Sequence, residues 1–182
     1  MSDLLLKRIG LLAEIASQKN GKRGRLGKTA MQKLLYLLQE AYHVPLGYRF
    51  SLYTYGPYDS QVMNDLDYAD AIGALAIHYD EAGFRIELGS QEDQIERYRV
   101  EMTREHEDAL TRLIQDYGNL NARELELRAT LFYIAHEEDG VSTRRDLIQR
   151  LKGLKPKFPE GEIEIAINDL IRKNHLAPSF QS

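Results

Sequence analysis

A cluster of basic residues between positions 19 and 28 is the densest group of side chains that could bind an anion. The members that we expect to contact a partner are Lys22, Arg23, Arg25 and Lys28. A basic, glycine-containing loop before a helix N-terminus can bind phosphate. The interval from Gly21 to Gly27 is one residue too long for the Gly-x-x-x-x-Gly-Lys-Ser/Thr nucleotide loop. We therefore expect this loop to touch a phosphate backbone or an acidic protein rather than a nucleotide.

The histidines and carboxylates are not spaced as a metal-binding or catalytic motif. None of the five histidines lies three or four residues from another, the spacing that would place two metal ligands on one helix face. Asp65 and Asp67 are two residues apart on a predicted helix and therefore diverge. There is no Gly-x-Ser-x-Gly turn, no Rossmann glycine pattern and no cysteine. We expect no catalytic residue, no cofactor and no bound metal, and we predict that the chain is not an enzyme.

Tyrosines are concentrated in one stretch of the chain. Of its eleven tyrosines, six lie between positions 36 and 58, namely Tyr36, Tyr42, Tyr48, Tyr53, Tyr55 and Tyr58. The stretch ends in the turn Tyr55-Gly56-Pro57-Tyr58, which has two interpretations. It could be a rigid corner in which Tyr55 fills the core, or an aromatic contact in a protein interface, where tyrosine is enriched. We favour the corner for Tyr55 and Gly56 and leave both interpretations open for Tyr58.

Hydrophobic periodicity predicts a mainly helical chain with a small sheet. Apolar residues recur at helical spacing in seven segments, approximately 4–18, 28–41, 60–72, 104–117, 122–136, 144–154 and 160–174. In the second segment we expect Leu34, Leu37 and Leu38 to lie in the core. We expect helix caps at Asp59 or Ser60, at Thr103, at Asn121 with Glu124, and at Thr143 with Asp146. Strand-like alternation occurs at 48–54, 83–88 and 98–102. The last two strands, joined by a polar loop after a helix, have the layout of a winged helix. The sequence thus predicts an α+β fold, mainly α, with one compact winged-helix-like domain over residues 1–176 and a loose tail over 177–182.

Charge is distributed unevenly along the chain. The net charge of −4 combines +6 in residues 1–58, −10 in residues 59–108 and zero in residues 109–182. We favour mutual neutralisation of these segments across one domain, although a charged partner remains the alternative. No apolar run approaches the length of a membrane span, and no signal peptide is evident at the start. We therefore expect a cytoplasmic protein without membrane association.

Four stretches resemble a known family. Gln32-Lys33-Leu34-Leu35-Tyr36-Leu37, followed by Tyr55-Gly56-Pro57-Tyr58, is similar to the Panacea (pan-antitoxin) family and its YwgA-like bacterial relatives. Residues 124–133 and Lys155-Pro156-Lys157-Phe158 resemble the YwgA-like branch in particular. The resemblance spans roughly residues 5–175. It implies an antitoxin-like role in bacteria or their phages, in which the domain binds and neutralises a toxin or effector encoded nearby.

These observations predict a non-enzymatic protein-interaction module. We expect a partner protein to contact the basic loop at Lys22, Arg23, Arg25 and Lys28, together with Tyr58. The alternative is a winged-helix regulator that binds DNA. Against it, the predicted wing loop from Gly89 to Arg97 contains three acidic residues and one basic residue, and phosphate would repel such a loop. We therefore expect any nucleic-acid binding to be weak.

Overall fold

The structure, a computed structural model, describes residues 3–19 and 22–181 of the chain. The described residues form eight α-helices: α1 (Asp3–Lys19), α2 (Lys28–Glu40), α3 (Ser60–Ala71), α4 (Glu96–Glu105), α5 (Glu107–Tyr117), α6 (Ala122–Glu137), α7 (Arg144–Leu154) and α8 (Glu160–Arg172). They also form two antiparallel hairpins, from β1 (Ser51–Tyr53) with β2 (Gly56–Tyr58) and from β3 (Leu75–Asp80) with β4 (Gly83–Leu88). The fold is therefore mainly α with a small β part, as predicted.

Helices α1 and α2 lie at the centre of the core. Helix α2 is buried along its length from Ala30 to Leu38, because α5 and α6 pack against it as well as strand β2. Helix α1 packs along α4, and α7 and α8 cover α6. Leu34, Leu37 and Leu38 have no exposed surface, so their predicted place in the core is confirmed. Within the described residues, no helix is both long and apolar enough to cross a membrane.

Capping interactions fix the starts of three helices where the sequence predicted them. Asn121 and Glu124 form a capping box at α6, in which each side chain accepts a hydrogen bond from the other residue's backbone N–H. Thr143 and Asp146 form the same arrangement at α7. Asp59 caps α3 by accepting a hydrogen bond from the backbone N–H of Gln61. These ends are predictable because both partners lie within a few residues of each other.

The predicted strand at 98–102 is wrong, and so is the wing built on it. These residues lie in α4, where Met102 is buried and Arg99 forms an ion pair with Glu14 of α1 at 2.8 Å. At Gly10 the two helix backbones are so close that a Cβ would lie 2.6 Å from the Arg99 nitrogen. Thr103 lies within α4 rather than capping the next helix. The partner of strand 83–88 is instead the preceding segment, β3.

The end of the chain is packed rather than loose over its described part. Residues Pro178–Gln181 form a short 3-10 helix, and the side chain of Phe180 is buried. Arg144 of α7 donates a hydrogen bond from Nε to the Phe180 carbonyl at 3.0 Å. This differs from the loose tail predicted for 177–182, of which Ser182 lies outside the described residues.

Candidate functional site

The β1–β2 hairpin is held against α2 by two consecutive polar side chains. Gln32 donates a hydrogen bond from Nε2 to the Asp59 carbonyl at 2.8 Å and accepts one at Oε1 from the Asp59 N–H at 3.2 Å. Lys33 donates from Nζ to the Pro57 carbonyl at 2.7 Å. Both side chains are buried, although they lie in a helix whose other residues are mostly apolar. The second strand and the start of α3 are thus fixed to the centre of the core.

A second set of buried charges holds the hairpin from the side of α6. Glu126 of α6 accepts hydrogen bonds at its two carboxylate oxygens, from Lys155 Nζ at 3.0 Å and from Lys157 Nζ at 2.7 Å. Lys155 also donates to the backbone carbonyls of Tyr53 and Thr54. Glu126 and Lys155 are buried, whereas Lys157 is exposed. The segment after α7 therefore connects α6 to the turn of the hairpin.

Lys33 belongs to this charged group without touching its carboxylate. Burial lowers the pKa of Lys33 to about 8, with Glu126 opposing that shift and Lys155 adding to it. Three lysines thus surround one carboxylate whose two oxygens are both in use. The group carries a positive charge that its own carboxylate does not neutralise.

Gly56 sets the shape of the hairpin. Its φ is +87°, which is in the left-handed region that favours glycine. A Cβ there would lie 2.7 Å from Thr130 Oγ1, and that hydroxyl donates to the Glu126 carbonyl. The rigid corner predicted for Gly56 is confirmed. The predicted core position of Tyr55 is wrong, because Gly56 and Pro57 occupy the inner side of the turn and Tyr55 faces outward.

The outer side of this hairpin is an exposed aromatic surface, which we call the tyrosine hairpin (Tyr53, Tyr55 and Tyr58). Tyr53 is 66% exposed and Tyr55 is 58% exposed, while Tyr58 is half-buried. The rings of Tyr53 and Tyr58 lie 5.7 Å apart, and Lys157 Nζ lies 5.4 Å from the centre of the Tyr55 ring. Tyrosine offers a large apolar surface and a polar hydroxyl, which suits a surface that is solvated in the free protein and becomes buried when a partner binds.

The structure separates the four predicted contact residues of the basic loop into two pairs. Arg25 donates to the Asp80 carboxylate at 2.8 Å and to the carbonyls of Phe84 and Gly83, and Lys28 forms an ion pair with Asp67 at 2.8 Å. These two cations therefore fix other parts of the fold. Lys22 and Arg23 are exposed and form no ion pair with any residue that the structure describes. Asn20 and Gly21 of the loop lie outside the described residues.

A cleft lies beside the basic loop and extends to Arg123 at the start of α6. It has a volume of about 460 Å³ and is lined by Arg25, Lys28, Phe84 and Arg123, among others. The guanidinium of Arg123 lies 4.4 Å from the centre of the Phe158 ring, and it donates to the Lys157 carbonyl at 3.3 Å. Arg123 thus lies between the cleft and Lys157, whereas Tyr58 is not among the residues that line the cleft, so the structure does not bring Tyr58 and the basic loop together in one site.

The buried charges are the feature that sequence reasoning missed, because charged side chains are usually exposed to solvent. A usable signal was present in Gln32-Lys33, where two polar residues interrupt an otherwise apolar helix. Asp65 is a second buried carboxylate, which pairs with the partly buried Arg8 and accepts a hydrogen bond from the Tyr48 hydroxyl at 2.8 Å. Among residues 3–19 and 22–181, no three His, Asp or Glu side chains are grouped so that they could hold a metal ion.

Comparison with known proteins leaves the family unassigned, because no protein-family model and no curated protein matches the chain. The resemblance to the Panacea family therefore stays a prediction. The stretches that carry it nevertheless meet in space. Lys33 from the first, the Tyr55–Tyr58 turn, Glu126 and Lys155 all belong to the hairpin and its supporting contacts.

Proposed function

We propose that this protein is a non-enzymatic interaction module that binds a partner protein through the tyrosine hairpin. The observation that carries the proposal is the contrast between the two sides of this hairpin. Its inner side is bound by buried lysines, whereas its outer side presents Tyr53 and Tyr55 to solvent. Ordering a flexible loop costs free energy on binding, and a loop that is already fixed avoids that cost.

The biological role that we propose for this module is antitoxin-like. In that role the domain binds a toxin or effector in the bacterial cytoplasm and blocks its surface. The support comes from the resemblance of four stretches to the Panacea family, and from the placement of those stretches around the exposed hairpin. The absence of cysteine is consistent with a reducing compartment.

A capture experiment with matched tyrosine variants tests the proposed surface. Tagged wild type and the double variant Tyr53→Ser/Tyr55→Ser would be used to recover proteins from the native host. We expect the double variant to lose the partner, and the control variant Tyr79→Ser to keep it, because Tyr79 is also exposed but lies on the β3–β4 hairpin. Circular dichroism would verify folding. Equal recovery by wild type and the double variant would contradict the proposed surface.

The second candidate function is DNA binding, and one observation favours it. Lys22 and Arg23 are exposed and lack carboxylate partners among the described residues. Against it, Arg25 and Lys28 are already paired with carboxylates, and the tip of the β3–β4 hairpin contains Asp80 and Glu81. We expect only weak, salt-sensitive binding of duplex DNA. Tight and sequence-selective binding in gel-shift titrations would favour the regulator instead.

A further inference from the structure

Three carboxylates near the tyrosine hairpin, those of Glu126, Asp59 and Glu162, are engaged within the protein. Both oxygens of Glu126 accept hydrogen bonds from lysines, as described above. Asp59 accepts from the backbone N–H groups of Gln61 and Arg49, so its charge caps a helix and closes the base of the hairpin. Glu162 pairs with Arg123 at 2.9 Å. A partner that approaches the hairpin therefore meets few free anionic groups.

The cations in the same region are more numerous and more accessible. Lys157 is exposed and shares Glu126 with Lys155, so the pair of lysines has one more positive charge than the carboxylate can neutralise. Arg49 directly precedes the segment that enters β1, and its exposed guanidinium forms no ion pair with a described residue. Lys157 lies over the Tyr55 ring. Arg49 lies four residues before Tyr53, and the exposed positions 49, 51 and 53 alternate with partly buried ones, so Arg49 and Tyr53 share the outer face of this extended segment. The outer face is therefore both aromatic and positively charged.

We propose that the partner presents an acidic segment to this surface, with carboxylates that pair with Lys157 and Arg49 and apolar side chains that pack on Tyr53 and Tyr55. This inference rests on the proposed function, and it adds the chemistry of the partner. Lysine and arginine at the edge of an interface steer an oppositely charged partner and fix its orientation. Arginine can also bind a carboxylate with two parallel hydrogen bonds.

The alternative ligand for an aromatic and basic surface is single-stranded nucleic acid, whose bases stack on open aromatic faces. The geometry of the tyrosines favours an acidic protein over it. The Tyr53 and Tyr58 rings pack on each other at 5.7 Å, and Lys157 lies over the Tyr55 ring. Each of these contacts occupies one face of a ring, which reduces the area on which successive bases could stack, while the exposed edges and hydroxyl groups stay accessible to a protein partner.

Fluorescence anisotropy with three defined probes tests the inference. The probes are a labelled peptide of repeated Glu-Glu-Leu units, its Gln-Gln-Leu counterpart and a labelled single-stranded oligothymidine. We expect wild type to bind the glutamate peptide, to bind the glutamine peptide on the order of tenfold more weakly, and to lose affinity for the glutamate peptide as salt rises. Equal binding of both peptides, tighter binding of the oligothymidine, or no binding of the glutamate peptide would overturn the inference.

Charge-reversal variants locate the binding site. Lys157→Glu and Arg49→Glu should each weaken binding of the glutamate peptide by on the order of tenfold. Arg49→Glu leaves the Glu126 group intact, so it remains informative if Lys157→Glu destabilises the fold. The control is Lys152→Glu, an exposed lysine of α7 that pairs with Glu160, and it should bind as wild type does. Unchanged affinity in Arg49→Glu, or equal losses in all three variants, would refute the assigned surface.

The capture experiment separates this inference from the proposed function. In one outcome the tyrosine double variant loses the host partner, while Arg49→Glu and a folded Lys157→Glu retain it. The hairpin is then the interface, and the inference that the partner presents an acidic segment is wrong. If the tyrosine double variant retains the partner, the proposed function itself fails.

Discussion

Replacing Glu126 by glutamine is the most direct test of how the hairpin is supported. The substitution keeps the size of the side chain but removes the only carboxylate that touches Lys155 among the described residues. Lys155 is buried and would be left without a counter-ion. Lys33 would also lose the nearby negative charge that favours its protonated form. The variant should therefore be strongly destabilised, and its hairpin should be less well fixed.

The expected loss follows from the burial of the two partners. Removing one partner of a buried ion pair costs about 3–5 kcal/mol, because the other charge is left uncompensated. The contact between Glu126 and Lys157 provides the control. The Lys157 side chain is 43% exposed and can turn to water, so Lys157→Met should cost about 0–1 kcal/mol. Both variants thus remove an ion pair of Glu126. Only Glu126→Gln leaves a buried charge, that of Lys155, without a counter-ion.

Urea unfolding followed by circular dichroism measures both losses. With a slope of about 2 kcal/mol per molar urea, Glu126→Gln should lower the midpoint by on the order of 2 M and Lys157→Met by less than about 0.5 M. The double variant Glu126→Gln/Lys155→Met should recover part of the loss, because no buried charge is then left unpaired. A midpoint for Glu126→Gln within error of wild type would refute the argument that Glu126 compensates a buried ammonium group.

Three further predictions concern the core, the turn and the response to pH. Leu34→Ala should lower the free energy of unfolding by about 2–5 kcal/mol, measured by urea denaturation, because the side chain is fully buried. Gly56→Ala should cost about 1–3 kcal/mol, also by urea denaturation, because it combines a positive φ with a close contact to Thr130. Burial lowers the pKa of His175, whose ring packs beside Tyr117, below the ordinary value of 6.5. The folded state therefore binds this proton less readily than the unfolded chain does. The stability that His175 contributes is complete above about pH 6.5 and is lost as the pH falls below it, so His175→Gln should flatten the dependence of the unfolding midpoint on pH between about 7.5 and 5.

Each of these predictions has a matched control. Leu4 is 46% exposed, and Leu4→Ala should leave the midpoint nearly unchanged. Gly83 also has a positive φ, but a Cβ there would meet nothing within 4 Å, so Gly83→Ala reports backbone strain without the clash. A cost for Gly56→Ala no larger than that for Gly83→Ala would contradict the proposed contact. His78→Gln, at an exposed position, should keep the pH dependence of wild type, and an unaltered pH profile in His175→Gln would remove that histidine as its cause.

The helices and their caps were predictable because the information that specifies them is local. The pattern of Ala30, Leu34 and Leu37 is complete within two turns, and the capping boxes need residues only three apart. The strand predicted at 98–102 was wrong because that prediction also used only local information. Alternation over only a few residues fits a strand, but α4 buries Met102 and directs Arg99 towards α1, and nothing near position 98 reveals that contact.

The site was less predictable because its contacts join distant parts of the chain. Lys33 contacts a carbonyl 24 residues away, and Glu126 contacts Lys155 at a separation of 29. Sequence patterns count such residues as surface charges, since buried lysine and glutamate are rare. Tyr58 lies in β2, and its role as a contact residue stays a prediction. Arg25 and Lys28 gave no sign that the carboxylates of Asp80 and Asp67 would neutralise them.

The small size of the exposed hairpin explains why buried lysines hold its inner side. Its strands have three residues each, and an isolated two-stranded hairpin is at best marginally stable in water. Apolar packing does not fix its outer side, because Tyr53 and Tyr55 are exposed to solvent. Long side chains from α2 and from the segment after α7 reach its backbone carbonyls instead. The desolvation that lowers the pKa of Lys33 is then the cost of holding a short hairpin in one conformation. Under the proposed function that cost is offset on binding, because a surface that is already ordered loses less conformational freedom when the partner binds.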